Sequence, residues 1–190
     1  MKVSEVFYSI QGEGHNTGIA MAFVRLAGCN LHCSFCDTQY APGPGIDMGE
    51  DEIIEQVRQY NAQWVCITGG EPFLQDISPL TNLLRQAGFR IHIETNGTLF
   101  YPVACDWLVV SPKQGAEPDL RALENAHEIK CVISSADDLT DVRRFEECGM
   151  HHSVQPVDNR ADIVKVCVDF IKTHPKWRLS MQLHKLIGID

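Results

Sequence analysis

The feature that most constrains the fold is a regular alternation between short β-branched runs and longer amphipathic stretches. The runs have the length and composition of strands, and the stretches place apolar residues on one helical face. Strands that alternate with helices form a parallel sheet with right-handed crossovers. The predicted strands are Ala20–Ala27, Trp64–Thr68, Arg90–Glu94, Trp107–Ser111, Glu128–Ile133, His152–Gln155 and Arg178–Gln182. The predicted helices are Glu50–Tyr60, Ile77–Ala87, Ser135–Cys148 and Arg160–Thr173.

Chain length limits how far such a sheet can close. The chain has 190 residues, whereas a complete eight-fold (β/α) barrel usually needs about 250. The segment between Glu94 and Trp107 is short and interrupted by Gly and Pro, so we expect no full crossover helix there. The sequence therefore predicts an α/β fold, an open and incomplete parallel (β/α) barrel, in a single domain over residues 1–190.

The composition of the chain argues against nucleic-acid and membrane partners. Lys and Arg number 16 against 25 Asp and Glu, a formal net charge of −9, so we expect no nucleic-acid partner. No apolar run approaches the roughly 18 residues of a membrane span. The start of the chain, MKVSEVFYSI, lacks the pattern of a secretory signal. We expect a cytoplasmic protein that binds a small molecule and does not engage a membrane.

The eight cysteines fall into two groups. Five are scattered, and in a reducing compartment such residues are usually small buried hydrophobes. Cys29, Cys33 and Cys36 instead lie within eight residues, directly after a predicted strand. Three thiolates at this spacing can hold a [4Fe–4S] cluster and leave one iron open for another ligand. A zinc site completed by His32 or Asp37 is the alternative.

Further polar motifs follow the predicted strands. Ligands of parallel α/β folds bind at the carboxyl ends of the strands, so these motifs are candidates for a site. Each of them also has an ordinary explanation as a turn, which holds above all for the Asn-Gly pair. The motifs are Thr68–Pro72 (TGGEP), Glu94–Gly97 (ETNG), Ser111–Lys113 (SPK) and Gln155–Asp158 (QPVD).

The cysteine spacing, with Phe35 directly before the last cysteine, resembles the radical S-adenosylmethionine (SAM) superfamily. The resemblance implies a barrel of the radical SAM type, in which Cys29, Cys33 and Cys36 hold the cluster and so serve radical generation. SAM would ligate the open iron through its amino and carboxylate groups. One electron would then cleave its sulfonium, and a 5′-deoxyadenosyl radical would abstract a substrate hydrogen. The implied SAM-binding residues are Phe35, Cys36, Asp37, Gly70, Glu71, Glu94, Asn96, Ser111, Pro112, Lys113, Gln155, Pro156, Val157 and Asp158.

A narrower resemblance covers nearly the whole chain. Gln11–Gly14 (QGEG), Cys36–Thr38 (CDT), the SPK and QPVD motifs and Arg178–Lys185 (RLSMQLHK) are together similar to the 7-carboxy-7-deazaguanine synthase family. The resemblance implies ring contraction of 6-carboxy-5,6,7,8-tetrahydropterin to 7-carboxy-7-deazaguanine with loss of ammonia. It also implies Mg²⁺ held by Thr38, a reductant protein such as flavodoxin, and a homodimer. The implied pterin-binding residues are Ile10, Gln11, Gly12, Glu13, Arg25, Thr68, His184 and Asp190.

Other assignments compete with these. Arg25 and Glu13 could form a surface salt bridge, and His184 could be a core histidine. The end of the chain departs from its relatives, because Asp190 adds a carboxylate where the family's C-terminal carboxylate approaches the substrate. An activase that installs a glycyl radical on a partner enzyme would share the cysteine spacing. A zinc or electron-transfer module without catalytic activity is a third hypothesis.

Overall fold

The structure is a computed structural model that describes residues 1–38 and 43–189. Its residues cluster into two compact units, which we call the first and the second unit. The first unit comprises Met1–Ser9, Ala20–Thr95 and Leu99–Leu108, and the second comprises Ile10–Ile19, Asn96–Thr98 and Val109–Asp190. In both units parallel strands alternate with helices, which confirms the predicted α/β class.

The first unit is built on strands in the order β3-β1-β2-β4-β5. The central strands β2, β4 and β5 are parallel, and β3 pairs with β1 in the antiparallel direction. Their bounds are β1 Lys2–Ile10, β2 Ala20–Leu26, β3 Ile46–Asp47, β4 Trp64–Gly69 and β5 Arg90–Thr95. Val24, Ile67 and Ile93 are fully buried on these strands, so the apolar runs seen in the sequence form the core of this unit.

Two α-helices accompany these strands, α1 Glu50–Arg58 and α2 Ser78–Gln86. Helix α1 begins after Gly49 with three acidic residues, whose charges complement the positive end of the helix dipole. It buries Ile53, Ile54 and Val57, the face predicted from the sequence. Helix α2 carries a proline in its first turn, where the missing N–H has no helical partner to lose.

The second unit contains the last two residues of β6 and all of β7, β8 and β9, which run parallel in that order. Their bounds are β6 Trp107–Val110, β7 Glu128–Ile133, β8 His151–Pro156 and β9 Trp177–Leu179. The helices are α3 Leu120–Asn125, α4 Asp138–Val142, α5 Ala161–Thr173 and α6 Leu183–Ile187. None of the helices in the described residues is long and apolar enough to cross a membrane.

Several predicted elements need correction. The single helix predicted over Ser135–Cys148 is wrong: α4 begins at Asp138 and is followed by a 3₁₀ turn over Arg143–Phe145. The Asp138 carboxylate accepts hydrogen bonds from the N–H and hydroxyl groups of both preceding serines, Ser134 and Ser135, which holds them in a turn. The last strand, predicted from Arg178, begins at Trp177 and ends at Leu179. The expected lack of a helix between β5 and β6 is confirmed in the structure.

Four elements are absent from the sequence prediction: β1, β3, α3 and α6. Most residues of β1 are half-buried, so the strand shows no clean alternation of apolar and polar residues. Strand β3 has two exposed residues, and α3 and α6 have six and five residues, too few for a periodic signal. These elements depend on packing that a local pattern does not report.

Candidate active site

In the first unit, the three clustered cysteines lie on one loop directly after β2. None of the three forms a disulfide, and all three are half-buried. The Cys36 N–H donates to the Cys33 carbonyl at 3.2 Å, and the Leu31 N–H donates to Cys29 Sγ at 3.4 Å. Cys36 Sγ lies 3.7 Å from the Thr38 hydroxyl oxygen. The loop therefore presents three sulfur donors, at least one of which already accepts a backbone N–H.

The glycine pair after β4 packs against the start of this cysteine loop. A Cβ atom on Gly69 would overlap the Leu26 carbonyl oxygen, and one on Gly70 would overlap the Gly28 carbonyl oxygen. Gly69 also has φ +136°, which favours glycine. The Glu71 N–H donates to the Gly28 carbonyl at 2.8 Å. The two glycines thus let β4 approach the backbone that leads into Cys29.

Glu71 is fully buried beside that glycine pair. One of its carboxylate oxygens accepts hydrogen bonds from the Phe73 N–H at 3.0 Å and the Thr95 hydroxyl at 2.6 Å. The carboxylate therefore links the end of β4 to the end of β5. Its predicted contact with SAM stays a prediction.

Polar side chains also line the ends of β2, β4 and β5. Arg25 and Thr68 are register partners on β2 and β4, so their side chains stand on the same face. The Arg25 Nε donates to Glu5 at 2.7 Å, and the Arg25 side chain is 16% exposed. On β5, His92 Nε2 lies 3.0 Å from a Glu94 carboxylate oxygen. A guanidinium beside a hydroxyl suits the carboxylate of a ligand.

In the second unit, Glu13 of the QGEG motif lies in a buried charge cluster. It accepts from Lys130 Nζ at 2.7 Å and from Gln182 Nε2 at 3.1 Å. Burial alone would raise the pKa of Glu13, but the charge and hydrogen bond of Lys130, with hydrogen bonds from Gln182 and Gln155, outweigh it. The pKa falls from 4.5 to about 2. Glu13 is therefore an ionised acceptor across the physiological range.

Strands β7 and β8 present a buried polar face in this unit. Side chains two residues apart on a strand share a face, and Glu128, Lys130, Ser153 and Gln155 are each less than 5% exposed. Glu128 accepts from the His15 N–H at 3.0 Å and from the Ser153 hydroxyl at 2.7 Å. The polar face therefore holds the loop that carries the QGEG motif.

The strand-end motifs of the second unit are ordered by short hydrogen bonds. Asn96 is buried, and its side-chain oxygen accepts from the Thr98 N–H at 2.8 Å and the Thr98 hydroxyl at 2.7 Å. After β6, Lys113 Nζ donates to the Ser111 hydroxyl at 2.6 Å. Asn96 forms the turn that its Asn-Gly sequence predicts, and Lys113 places a cation at the Ser111 hydroxyl within the SPK motif.

The QPVD motif ends β8 and is bonded to the C-terminal segment. Gln155 is 2% exposed and accepts from the Ser180 hydroxyl at 2.7 Å. The Ser180 hydroxyl oxygen in turn accepts from the Gly14 N–H at 2.8 Å. His184 is half-buried beside Gly12, where a Cβ atom would overlap its Nδ1. The second unit thus brings Ile10–Glu13, QPVD and His184 together, whereas Asp190 lies outside the described residues.

Comparison with known proteins places this geometry in a family. The Radical SAM superfamily model matches residues 24–167. The 7-carboxy-7-deazaguanine synthase of Bacteroides thetaiotaomicron is 43% identical over 189 residues, covering 99% of this chain and 98% of the relative. The synthase of Bradyrhizobium diazoefficiens is 39% identical, covering 98% of each chain. The chain belongs to the 7-carboxy-7-deazaguanine synthase family.

A solved structure agrees with this assignment. The crystal structure of QueE from Escherichia coli superposes with a TM-score of 0.83 and 31% identity, over 96% of this chain and 94% of that one. The predicted barrel of the radical SAM type is confirmed. Membership of a synthase family also favours the synthase hypothesis over the activase and over the module without catalytic activity.

The residues present fit the cofactors of a radical SAM family. A [4Fe–4S] cluster takes thiolate ligands, and this chain offers three half-buried thiols on one loop, none of them in a disulfide. The scattered cysteines differ: burial raises the pKa of Cys131 to about 12 and of Cys167 to about 11, which opposes thiolate formation. The donor set of the loop therefore suits the cluster of the synthase family.

Several residues of the site were missed by the sequence analysis. Lys130 and Gln182 bind Glu13, Asn159 binds the backbone of Gln182, and Glu5 pairs with Arg25. The proposed Arg25–Glu13 salt bridge is thus replaced by two other ion pairs, Arg25 with Glu5 and Glu13 with Lys130. One signal was available, because Glu128 and Lys130 put two charges two residues apart on one face of an otherwise apolar strand.

Proposed function

We propose that this protein converts 6-carboxy-5,6,7,8-tetrahydropterin to 7-carboxy-7-deazaguanine with release of ammonia. The observation that carries the proposal is the loop of three half-buried thiols that follows β2, the strand that carries Arg25. Loss of ammonia balances the ring contraction without net oxidation, so SAM is regenerated rather than consumed. The product is a 7-deazapurine of the queuosine type.

In this proposal Cys29, Cys33 and Cys36 hold the cluster through their sulfurs. The chemistry that the cluster and SAM supply when bound is reductive cleavage of SAM and abstraction of a hydrogen atom from the substrate. The chain's own part is to bind and orient SAM and to exclude water. The proposed SAM-binding residues are Phe35, Cys36, Asp37, Gly70, Glu71, Glu94, Asn96, Ser111, Pro112, Lys113, Gln155, Pro156, Val157 and Asp158.

The pterin has a carboxylate at one end and an aminopyrimidine edge at the other. Arg25 suits the carboxylate because its planar guanidinium can donate two parallel hydrogen bonds. Glu13 suits the aminopyrimidine because an ionised carboxylate accepts from its N–H groups, and Lys130 keeps Glu13 ionised. The proposed pterin-binding residues are Ile10, Gln11, Gly12, Glu13, Arg25, Thr68, His184 and Asp190.

We assign Mg²⁺ to the hydroxyl of Thr38, two residues after the last cysteine. Mg²⁺ prefers oxygen ligands and keeps several of its waters, so one protein oxygen together with substrate oxygens suffices. The Thr38 hydroxyl is half-buried and near Cys36 Sγ, so it lies on the loop that holds the cluster.

The domain organisation, the electron donor, the compartment and the oligomeric state are also proposals. Relatives cover 98% or more of the chain, which supports one functional domain over residues 1–190 that includes both units. A cluster of this kind needs an electron donor such as flavodoxin, and free thiols suit the reducing cytoplasm. We propose a homodimer on the basis of family resemblance.

The test is an anaerobic assay of the reconstituted protein with 6-carboxytetrahydropterin, SAM, Mg²⁺ and a reductant. We expect 7-carboxy-7-deazaguanine and ammonia in equal amounts, measured by mass spectrometry and an ammonia assay. Cys33→Ala is the control and forms neither. Cleavage of SAM without any deazaguanine would contradict the synthase assignment and favour another radical SAM reaction, such as that of an activase.

A further inference from the structure

Residues Gln182–Lys185, which we call the C-terminal strap, lie within bonding distance of two separate loops of the second unit. On one side they contact the turn that follows QPVD. The Asn159 side-chain amide donates to the Gln182 carbonyl at 2.9 Å, and the Gln182 N–H donates to the Asn159 side-chain oxygen at 2.8 Å. Lys185 Nζ adds an ion pair to Asp158 at 2.6 Å. One asparagine side chain thus pairs with both backbone groups of Gln182.

On its other side the strap contacts the QGEG loop. The Gln182 side chain donates to Glu13 at 3.1 Å, and the Leu183 N–H donates to the Gly12 carbonyl at 2.8 Å. The approach is so close that a Cβ atom on Gly12 would overlap His184 Nδ1. The strap is therefore bonded to the loop as directly as it is bonded to the turn.

The turn at Asp158 and Asn159 adopts a backbone conformation that needs support. Both residues have φ +51°, in the left-handed region that residues with a Cβ atom adopt rarely, Asp and Asn more readily than most. The two hydrogen bonds between Asn159 and Gln182 hold the turn in this conformation. A change at the turn therefore changes the position of Gln182, and with it the hydrogen bond to Glu13.

We infer that Asn159 and Gln182 are positioning residues that couple SAM binding at the QPVD turn to pterin binding at the QGEG loop. The inference rests on the proposed function, because that function assigns the two loops to the two ligands. Neither residue is assigned to a ligand itself. Coupling between two sites is reciprocal, so SAM strengthens pterin binding by the same factor by which the pterin strengthens SAM binding.

The experiment measures that factor by calorimetry on the anaerobic holoenzyme without reductant, so that SAM stays intact. The dissociation constant of 6-carboxytetrahydropterin is measured with and without saturating SAM, and that of SAM with and without the pterin. For the wild type, we expect the coupling factor from the pterin dissociation constants to equal that from the SAM dissociation constants, and both to exceed about fivefold. Melting temperatures and iron contents are recorded for every variant, to confirm that it is folded and loaded.

Two variants each break one link. Asn159→Gly removes both hydrogen bonds to Gln182, but glycine adopts the left-handed backbone readily. Its effect therefore reports the loss of the hydrogen bonds and not added backbone strain. Gln182→Met keeps the length of the side chain and removes the donor to Glu13. We expect each variant to lower the coupling factor to within about twofold of one. Asn125→Ala, which removes an exposed amide on α3, is the matched control and keeps the wild-type factor.

The possible results separate this inference from the proposed function. A coupling factor of one in the wild type would overturn the inference while both ligands still bind. So would an Asn159→Gly variant whose coupling factor equals that of the wild type. If a variant weakens the binding of both ligands equally and leaves the coupling factor unchanged, Asn159 and Gln182 have only a structural role. A wild-type holoenzyme that binds SAM but no pterin would overturn the proposed function, and the inference with it.

Discussion

The cysteine loop of the first unit and the QGEG loop of the second unit are held in different ways. Bonds such as those from Cys36 to Cys33 and from Leu31 to Cys29 join residues at most three apart in sequence. Glu13 is instead bonded to Lys130 and Gln182, which are 117 and 169 residues away. The cysteines are thus bonded to near neighbours in sequence, although the start of their loop also accepts the Glu71 N–H at Gly28, whereas Glu13 is held by distant segments of the chain.

This difference indicates how far each loop is ordered before its ligand binds. A bound cluster would cross-link the three thiols of one loop, and we expect the chain to fold without that cross-link. The QGEG loop is preassembled by buried charges, and a preassembled site loses less entropy when a ligand binds. Removing a cysteine should therefore abolish function at little cost in stability, and removing Lys130 should cost stability directly.

The largest effect is expected in the cysteine loop. Cys33→Ala should lower the iron content from about four per chain and reduce SAM cleavage by more than about a thousandfold, because a cluster with two thiolate ligands is not retained. Iron analysis and a SAM-cleavage assay measure both effects. The unfolding free energy of the metal-free chain should change by less than about 0.5 kcal/mol. Cys148→Ala is the control, and loss of iron there would refute the ligand assignment.

Lys130→Met should give the second largest effect, this time on stability. Removing one partner of a buried ion pair leaves the other charge uncompensated, which typically costs about 3–5 kcal/mol. Glu13 is 17% exposed, so we expect about 2–4 kcal/mol, measured by urea unfolding. The double variant Glu13→Gln with Lys130→Met should recover part of this loss. A single variant as stable as the wild type would show that the pair does not hold the loop.

Arg25→Lys tests a ligand contact in the first unit. Arg25 Nε already donates to Glu5, and a lysine would have to serve Glu5 and the substrate carboxylate with one ammonium group. We expect pterin binding to weaken by about tenfold to a hundredfold, as each 1.4 kcal/mol is about a factor of ten. Calorimetry measures this loss, and SAM cleavage without substrate is the control. An equal loss of both would remove Arg25 from the pterin site.

The Glu13–Lys130 pair should also give the protein a measurable dependence on acid. Because folding lowers the pKa of Glu13 from 4.5 to about 2, its contribution to stability is present above pH 4.5 and is lost as the pH falls toward 2. Urea unfolding at pH 6 and pH 3 should therefore show a larger loss for the wild type than for the double variant at Glu13 and Lys130. Parallel losses would mean that Glu13 is not held ionised.

The smallest effect is expected at Thr38. Thr38→Ala removes the proposed protein oxygen, so the Mg²⁺ concentration for half-maximal activity should rise by several-fold while the cluster spectrum stays intact. A Mg²⁺ titration of activity measures the shift. Thr38→Ser keeps the oxygen and should titrate close to the wild type. An identical titration for the alanine variant would place Mg²⁺ elsewhere.

The sequence by itself determined the α/β class and the cysteine loop. Apolar runs identify parallel strands because both faces of such strands are buried, and β2, β4, β5 and β7 appear within about two residues of their predicted bounds. The spacing of Cys29, Cys33 and Cys36 needs no tertiary information, since a loop of eight residues keeps its own members close. The family resemblance rests on the same kind of local signal.

Only the tertiary structure decided which residues hold the QGEG loop. Nothing near Glu13 in sequence indicates that Lys130 supplies its countercharge, because Lys130 lies on β7 and only the packing of the QGEG loop against that strand brings the two side chains together. Likewise Asn159 and Gln182 belong to separate segments whose contact depends on where the C-terminal strap packs. A sequence shows the periodic pattern of apolar and charged residues along the chain. The partner of a buried charge is set by the folding of distant segments onto one another, and no local period encodes it.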